Sequence, residues 1–591
     1  MSPRTFGNED RLPRVPLPSL DDSCTRFLRW CTPLLTAEQL AQTTAAVEAF
    51  RAADSPARAL HAELERYNAD PAVHSWLDDF WDTRYLGRRD RIALNANFFF
   101  LFADTTQRRL DRAVGLIAGA LDYKLRLDAE LVTPAVQRGA PLSMHQYRYL
   151  FGTTRIPHEV QDTARTPYSA SEPGPSTARH IVVFHRGAIF RMDVFDPDGR
   201  PHAAEDLAAG LEELLKTAVP AEVSAGAFTT MARAEWAARR TVLLADPTNA
   251  AALETIETAL FCLALDEDVY DNRTAACDQL LHGDSRDRWF DKAVTFIVFA
   301  DGRAGINVEH CALDGTTILG FVDAVLAVSD EVRVERLGSV PQLSPVEFAL
   351  DDASRSAAAD AAADFAAYAA ATATTTLSFP FGSSRAKELK ISPDALVQLA
   401  YQLAHRRSKG FVGATYESIS TRQFHHGRTE AMRVVTPEVL AFADAMENPE
   451  LDAPARRRAL RAAADAHVAR AKDCQAGLAP EQHLWELQFI QRRKGAELGA
   501  AAPLTLYDTP GWTVTRDDYL STSSAPSVNI QFFGFGMTSV RCIGVGYVLL
   551  PDRFNIYLST PRQVGDQMHA FAEELVRAVD ELQALLASPD A

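Results

Sequence analysis

The chain has 591 residues, of which 47% are hydrophobic and 23% charged, and carries a formal net charge of -18 at neutral pH. That length is too great for one core and implies two domains or a duplicated unit, in a composition far from that of a disordered protein. The acidity argues against a general nucleic-acid binder, which needs clustered Lys and Arg against phosphate.

The seven cysteines (Cys24, Cys31, Cys262, Cys277, Cys311, Cys474 and Cys542) are odd in number and lack C-x-x-C spacing. Neither a disulfide framework nor a zinc site is indicated by the cysteines, and a reducing cytoplasm is the expected setting. "MSPRTFGNEDRLPRVPLPSL" has no apolar stretch of the secretory kind, and no eighteen-residue apolar window supports a membrane span.

In chain order, "RLPRVPLPSLDDSCTRFLRW" predicts an extended proline-spaced lead, an Asp N-cap and an amphipathic helix. "LTAEQLAQTTAAVEAFRA" predicts a second helix. "IVVFHRGAIFRMDVFD", after a Pro/Ser-rich stretch, reads as two strands in a hairpin around "HRGA". The Ala-rich stretch from Ala353 to Ala373 predicts a helix between the two halves, since Ala is the strongest helix former. "TTTLSFPF" then reads as a strand. In "KISPDALVQLAYQLAHRR" Ser392 is placed to N-cap a helix beginning near Pro393.

The chemistry-bearing stretch is "INVEHCALDGTT", where His310 closes the alternating run "AVTFIVFADGRAGINVEH". Glu309 and His310 are neighbours on an extended segment, so their side chains point to opposite faces. Asp314, after a short turn, is expected to reach back and orient the imidazole as an acidic partner orients a general base. Cys311 points away from the face of His310 and reads as a small buried hydrophobe. "STSS", Ser521 to Ser524, brings a run of hydroxyls into a second strand, and a hydroxyl aimed at a developing oxyanion is worth about 2 to 4 kcal/mol. In "FHHG", His425 and His426 are adjacent on what reads as an extended segment, which points the rings apart, so no metal site is expected.

Several motifs, taken in order from about residue 12 to residue 587, resemble the carnitine and choline O-acyltransferases. They are "LPRVPLPSL", "WLDDFWDTRYLGRRD", "HQYRYLFGTTRIPHEVQDT", "DRWFDKAVTFIVFADGRAGINVEH", "GATYESISTRQFHHGRTEAMR" and "YLSTSSAPSVNIQFFGFG". The resemblance implies an α/β (α+β) enzyme of two chloramphenicol-acetyltransferase-like domains, with mixed sheets covered by helices and an active-site tunnel between them. The expected organisation is N-terminal helices over residues 12–64 packing on the second domain, a catalytic-histidine domain over 65–350, and a second acyltransferase-like domain over 351–591. It further implies direct acyl transfer from a coenzyme A thioester to the hydroxyl of a small polar acceptor, with no bound cofactor. His310 is then the base, Asp314 its support and Ser523 the oxyanion donor.

On the coenzyme A side the resemblance points to Lys387, Asp394, Ser524 and the nearby Lys390. Ser383 stands where the family has a first lysine and Val468 where it has an arginine, so two basic contacts to coenzyme A are missing. Lys390, Arg385 and Arg470 are the candidates to replace them. On the acceptor side Tyr85, Tyr416, Ser418 and Thr429 match, while Gln482 replaces the arginine that pairs with carnitine's carboxylate. Gln531 falls at the acyl pocket, where a buried amide favours a short or polar acyl group. An acyl carrier protein, which lacks the 3′-phosphate of coenzyme A, is an alternative donor, and a non-catalytic binding protein on the same scaffold is a further alternative. A monomer is expected, with no nucleic-acid or membrane partner.

Overall fold

The computed structural model describes residues 4–328 and 341–588. The chain divides into two compact units: Met1–Leu12, Trp81–Thr374 and Ala525–Gly536 form one, and Pro13–Phe80, Thr375–Ser524 and Met537–Ala591 form the other. These limits differ from the expected boundaries near residues 65 and 351. The segment Ala525–Gly536 departs furthest, because its strand finds its partner in the first unit's sheet.

The first unit holds an eight-stranded mixed sheet ordered Leu343–Pro345, Ala188–Asp193, His180–His185, Cys262–Leu265, Val294–Val298, Ala304–Val308, Phe98–Phe102 and Ile530–Phe535. Cys262–Leu265 runs parallel to both neighbours and the other pairs are antiparallel. Phe98–Phe102 reads FFFLF and is buried at every position, as a strand covered on both faces must be. Helix Arg109–Asp128 packs on helix Gly315–Val328 so closely that a Cβ on Gly119 would lie 2.5 Å from the Val325 carbonyl oxygen. The hairpin at "HRGA" turns through Arg186 and Gly187, both with positive φ (55° and 76°), the geometry of a tight two-residue connection.

The second unit holds a six-stranded mixed sheet ordered Thr372–Phe379, Phe554–Pro561, Ile543–Leu549, Leu520–Ser524, Thr415–Ser420 and Thr429–Arg433. Helices Pro393–Lys409 and Gly565–Ala587 pack side by side. Helix Leu20–Cys31 is capped by Ser19, whose hydroxyl accepts from Asp22 N at 3.1 Å, rather than by an aspartate; Asp21 and Asp22 fall inside the first turn. Their charges suit the positive end of the helix dipole. Helix Ala37–Arg51 starts with a Thr36–Gln39 capping box. The Ala-rich stretch forms helix Asp352–Ala370, capped by Asp351 and anchored by the fully buried Phe365.

Candidate active site

His310 lies just beyond strand Ala304–Val308, in the turn that leads into helix Gly315–Val328. Glu309 points inward, where it accepts from Arg155 Nη1 at 3.2 Å and from the Cys311 amide at 3.0 Å. The imidazole takes the opposite side, with its Nδ1 2.8 Å from the Leu313 carbonyl oxygen. A carbonyl only accepts, so Nδ1 carries the hydrogen and Nε2 keeps its lone pair. The Tyr85 hydroxyl stands 3.4 Å from Nε2, and the Tyr85 and Phe98 rings lie 4.9 and 5.1 Å from the imidazole. These rings fix the plane in which Nε2 points.

Asp314 sits differently from the expected orienter. Its Oδ1 is 3.7 Å from Nδ1, beyond hydrogen-bond range, because the backbone of Leu313 has already taken that nitrogen. Gln146 holds the carboxylate instead: Nε2 donates to Asp314 Oδ2 at 2.7 Å, while its Oε1 accepts from the Asp314 amide and the Thr317 hydroxyl, each at 2.8 Å. Asp314 is thus buried beside the ring and fixed by Gln146. Sequence reading did not single out Gln146, although it stands in the quoted "HQYRY".

Arg155 links the two sides of this site. Besides Glu309, its fully buried guanidinium binds Asp162 at 2.6 Å and donates to the Tyr85 carbonyl at 2.7 Å. Asp162 also meets Arg233 at 2.6 Å and Arg89 at 2.9 Å. Burial pushes the Asp162 carboxyl up, but Arg233 and Arg155 outweigh it and hold the group below the usual range. One arginine therefore fixes both the residue before His310 and the backbone of Tyr85.

In the second unit, strand alternation sorts the expected residues onto two faces. Tyr416 pairs with Arg433 and Ser521, Ser418 with Ala431, and Ser420 with Thr429. Tyr416, Ser418, Thr429, Ser521 and Ser523 consequently share one face. Glu417, Thr522 and Ser524 take the other, with Tyr547 opposite Ser524 in register. Ser523 is half-buried and Ser524 exposed. Thr522 is a structural hydroxyl, donating to the Tyr416 carbonyl and accepting from Gln398, each at 2.9 Å.

Asp394, in the first turn of helix Pro393–Lys409, belongs to the second face. It accepts from the Tyr547 hydroxyl at 2.7 Å and from His467 Nε2 at 3.2 Å. Glu417 shares a hydrogen bond with it, and burial raises the Glu417 carboxyl well above its ordinary value, so Glu417 keeps the proton. Lys387 and Lys390 are exposed. Beside them Arg461 donates to the Lys390 carbonyl at 3.0 Å, a basic neighbour the sequence did not reveal because it sits on a distant helix.

Residues 15–577 match the family model for choline/carnitine O-acyltransferases. The chain belongs to that family. Carnitine O-acetyltransferase of Homo sapiens is 30% identical over 610 residues, covering 99% of this chain and 95% of the human one. Carnitine O-palmitoyltransferase 2 of Xenopus tropicalis is 30% identical over 628 residues, covering 98% and 93%. This family membership makes the protein an acyltransferase that transfers to a hydroxyl acceptor.

Several departures from the family pattern take a physical form. Gln482 is buried at the start of helix Glu481–Lys494, and its amide donates to the Thr429 carbonyl at 2.9 Å. The nearby Arg433 is held by Glu481 at 2.6 and 2.7 Å and by Asp518. Arg470 does not replace a lost phosphate contact: it is buried, donates to the Arg433 and Val435 carbonyls at 2.7 and 2.9 Å, and burial lowers its pKa to about 10. Arg385 pairs with Glu388 at 3.0 Å.

Gln531 is the extra residue of a β-bulge, since Leu101 pairs with Phe532 and Phe102 with Ile530. Its side chain bonds to Asp104, which Arg273 holds at 3.0 and 2.6 Å. Phe533, on the same strand, packs 6.2 Å from Phe98 and 5.5 Å from Phe100. His425 and His426 also depart from expectation, because the loop closing Thr415–Ser420 on Thr429–Arg433 puts His426 at φ 52°. Their rings meet at 4.6 Å instead of pointing apart.

Proposed function

We propose that the protein moves a short acyl group from acyl-CoA to the hydroxyl of a small polar acceptor of the carnitine/choline type, by direct transfer with His310 as the general base. The observation that carries this reading is the Nδ1 contact to the Leu313 carbonyl at 2.8 Å, which leaves Nε2 as the basic nitrogen. The acceptor's O–H proton goes to Nε2, its oxygen attacks the thioester carbonyl, and the tetrahedral oxyanion is met by the Ser523 hydroxyl. Collapse breaks the C–S bond, and the departing thiolate takes the proton back from His310. No acyl-enzyme forms.

Tyr416, Ser418 and Thr429, on the face of Ser523, support an acceptor with several polar groups. Neither Gln482 nor the doubly paired Arg433 offers an uncommitted cation to a carboxylate, which favours an acceptor recognised through hydroxyls over carnitine itself. The packed Phe98, Phe100 and Phe533 rings favour a short acyl chain. Lys387, Lys390 and the adjacent Arg461 support coenzyme A as the donor.

A second reading, transfer from an acyl carrier protein, is favoured by one observation: Ser383 and Val468 stand where the family has basic residues, and Arg470 is committed elsewhere. One measurement separates the donors, namely kcat/KM for the same acyl group on coenzyme A, on dephospho-coenzyme A and on a carrier protein. The first reading expects a marked loss with the dephospho donor and no turnover of the carrier. Equal rates on the two coenzymes with fast carrier turnover would overturn it.

A further inference from the structure

Three histidines gather on the second unit, none of them given a part in the transfer. His74 is exposed on the segment after helix Pro56–Ala69, and His425 and His426 are half-buried in the loop between strands Thr415–Ser420 and Thr429–Arg433. The ring centroids are mutually close: 4.8 Å from His74 to His425, 4.4 Å to His426, and 4.6 Å between the two neighbours. One nitrogen from each lies within 4.8 Å of the others.

Neighbouring residues on an extended chain cannot do this. The loop manages it because His426 occupies the left-handed region, which costs a residue with a side chain about 1 kcal/mol or more. The loop is also held rigidly. His425 N donates to the Pro13 carbonyl at 2.8 Å, Thr421 N to the Arg428 carbonyl at 3.0 Å, and Gly427 N to the Phe424 carbonyl at 3.0 Å. Gly427 has no substitute, since any Cβ there would lie 2.0 Å from the Thr421 carbonyl oxygen.

A carboxylate stands behind the cluster as well. Asp78 Oδ1 is 3.8 Å from His426 Nδ1, while its Oδ2 accepts from Ser75 N at 3.1 Å. At 3.8 Å the carboxylate is a charge beside the ring, outside hydrogen-bond range, and it favours a cation at the cluster.

We propose that His74, His425 and His426 form a site for one divalent transition-metal ion of the zinc type, with solvent as the fourth ligand and the Asp78 carboxylate as a nearby charge. Three imidazoles suit Zn²⁺, Cu²⁺ or Ni²⁺ and not Mg²⁺ or Ca²⁺, which prefer oxygen. A tetrahedral ion takes Zn–N distances of about 2.0–2.1 Å, so ring nitrogens within 4.8 Å need only small side-chain rotations to close on it. The bound ion would tie the His74–Asp78 segment to the loop, which ends one residue before the acceptor residue Thr429. Asp394, Glu417 and His467 form another triad of the kind, but its carboxyl groups are already bonded to each other, to His467 and to Tyr547.

The test uses the tag-free full chain stripped with a chelator, titrated with Zn²⁺ against a chromophoric chelator. One equivalent should bind, the melting temperature should rise with Zn²⁺ and not with Mg²⁺, and Asp78→Asn, which removes a nearby negative charge, should weaken binding. His74→Ala, a change at an exposed residue, should abolish the Zn²⁺-dependent rise while leaving the metal-free melting temperature unchanged. Wild-type affinity no greater than that of His74→Ala/His426→Ala overturns the proposal. So does binding that survives this double change and vanishes in His467→Ala.

Discussion

The two units solve the same problem, a cluster of buried charge beside a functional strand, in opposite ways. In the first, Asp162 meets three arginines, and Arg155 returns to Glu309 and to the Tyr85 carbonyl, so negative and positive groups are matched. In the second, Asp394 and Glu417 face one another with a single histidine and a tyrosine hydroxyl, and the shortage of positive charge is met by leaving a proton on Glu417. Matched charges give a fixed geometry across a wide pH range, whereas a retained proton ties the second cluster to pH. The unit that carries His310 has the matched arrangement.

The comparison breaks first at His310 itself. His310→Ala should lower kcat/KM by about 10²–10⁴, the range for a positioned general base, with an unchanged melting temperature. A loss under about tenfold would mean that Nε2 is not the proton acceptor. Arg155→Met should destabilise the protein by about 3–5 kcal/mol in urea unfolding, because it removes the arginine that pairs with the buried Glu309 and takes one of three from Asp162. A cost below about 1 kcal/mol would show that the matched network does not hold the site.

Activity should next report on the second unit. Ser523→Ala should cost about 10²–10³ in kcat with little change in KM, as removal of an oxyanion donor does. Because His310 and Ser523 belong to different units, the double change is informative: an effect much smaller than the product of the single ones indicates one shared step. Gln482→Arg should raise kcat/KM for carnitine relative to choline by an amount equivalent to about 1.5–3 kcal/mol, the worth of a hydrogen bond to a charged group. If the wild type already prefers carnitine to every uncharged acceptor, the argument from Gln482 fails.

What the sequence made legible was local. The hairpin at "HRGA" and the caps at Thr36 and Ser392 follow from a few adjacent residues, and the structure contains them. The strand leading to His310 was readable from alternation, and so was the inward turn of Glu309. The hydrogen-bond partner of Nδ1 was not, since spacing allows either Asp314 or a backbone carbonyl and only the turn's path decides. Pairing of Ile530–Phe535 with Phe98–Phe102 joins segments far apart in the chain, and no local pattern encodes a partner so distant. The bulge at Gln531 and the left-handed His426 are single-residue backbone events, which neither alternation nor an extended-segment reading contains.

The smallest expected effect sharpens the contrast between the clusters most directly. Glu417 is buried with its carboxyl raised well above the ordinary value of 4.5, the causes being burial and then the neighbouring Asp394 charge. Below pH 4.5 the group is protonated in both folded and unfolded chains and contributes no pH dependence. As pH rises past that value the unfolded chain releases the proton while the folded chain retains it, so the unfolded state gains and stability falls. Glu417→Gln keeps an N–H donor toward Asp394 and removes the titration. The variant and wild type should therefore match in melting temperature near pH 4, and the variant should be the more stable of the two by an increasing margin from pH 5 to pH 8. The first unit provides the control: Asp162 has a lowered carboxyl, so its stabilising contribution is present above the ordinary aspartate value and fades only in acid. If Glu417→Gln and wild type instead lose stability in parallel between pH 5 and pH 8, the proton does not reside on Glu417, and the second cluster is charge-matched by a group other than His467.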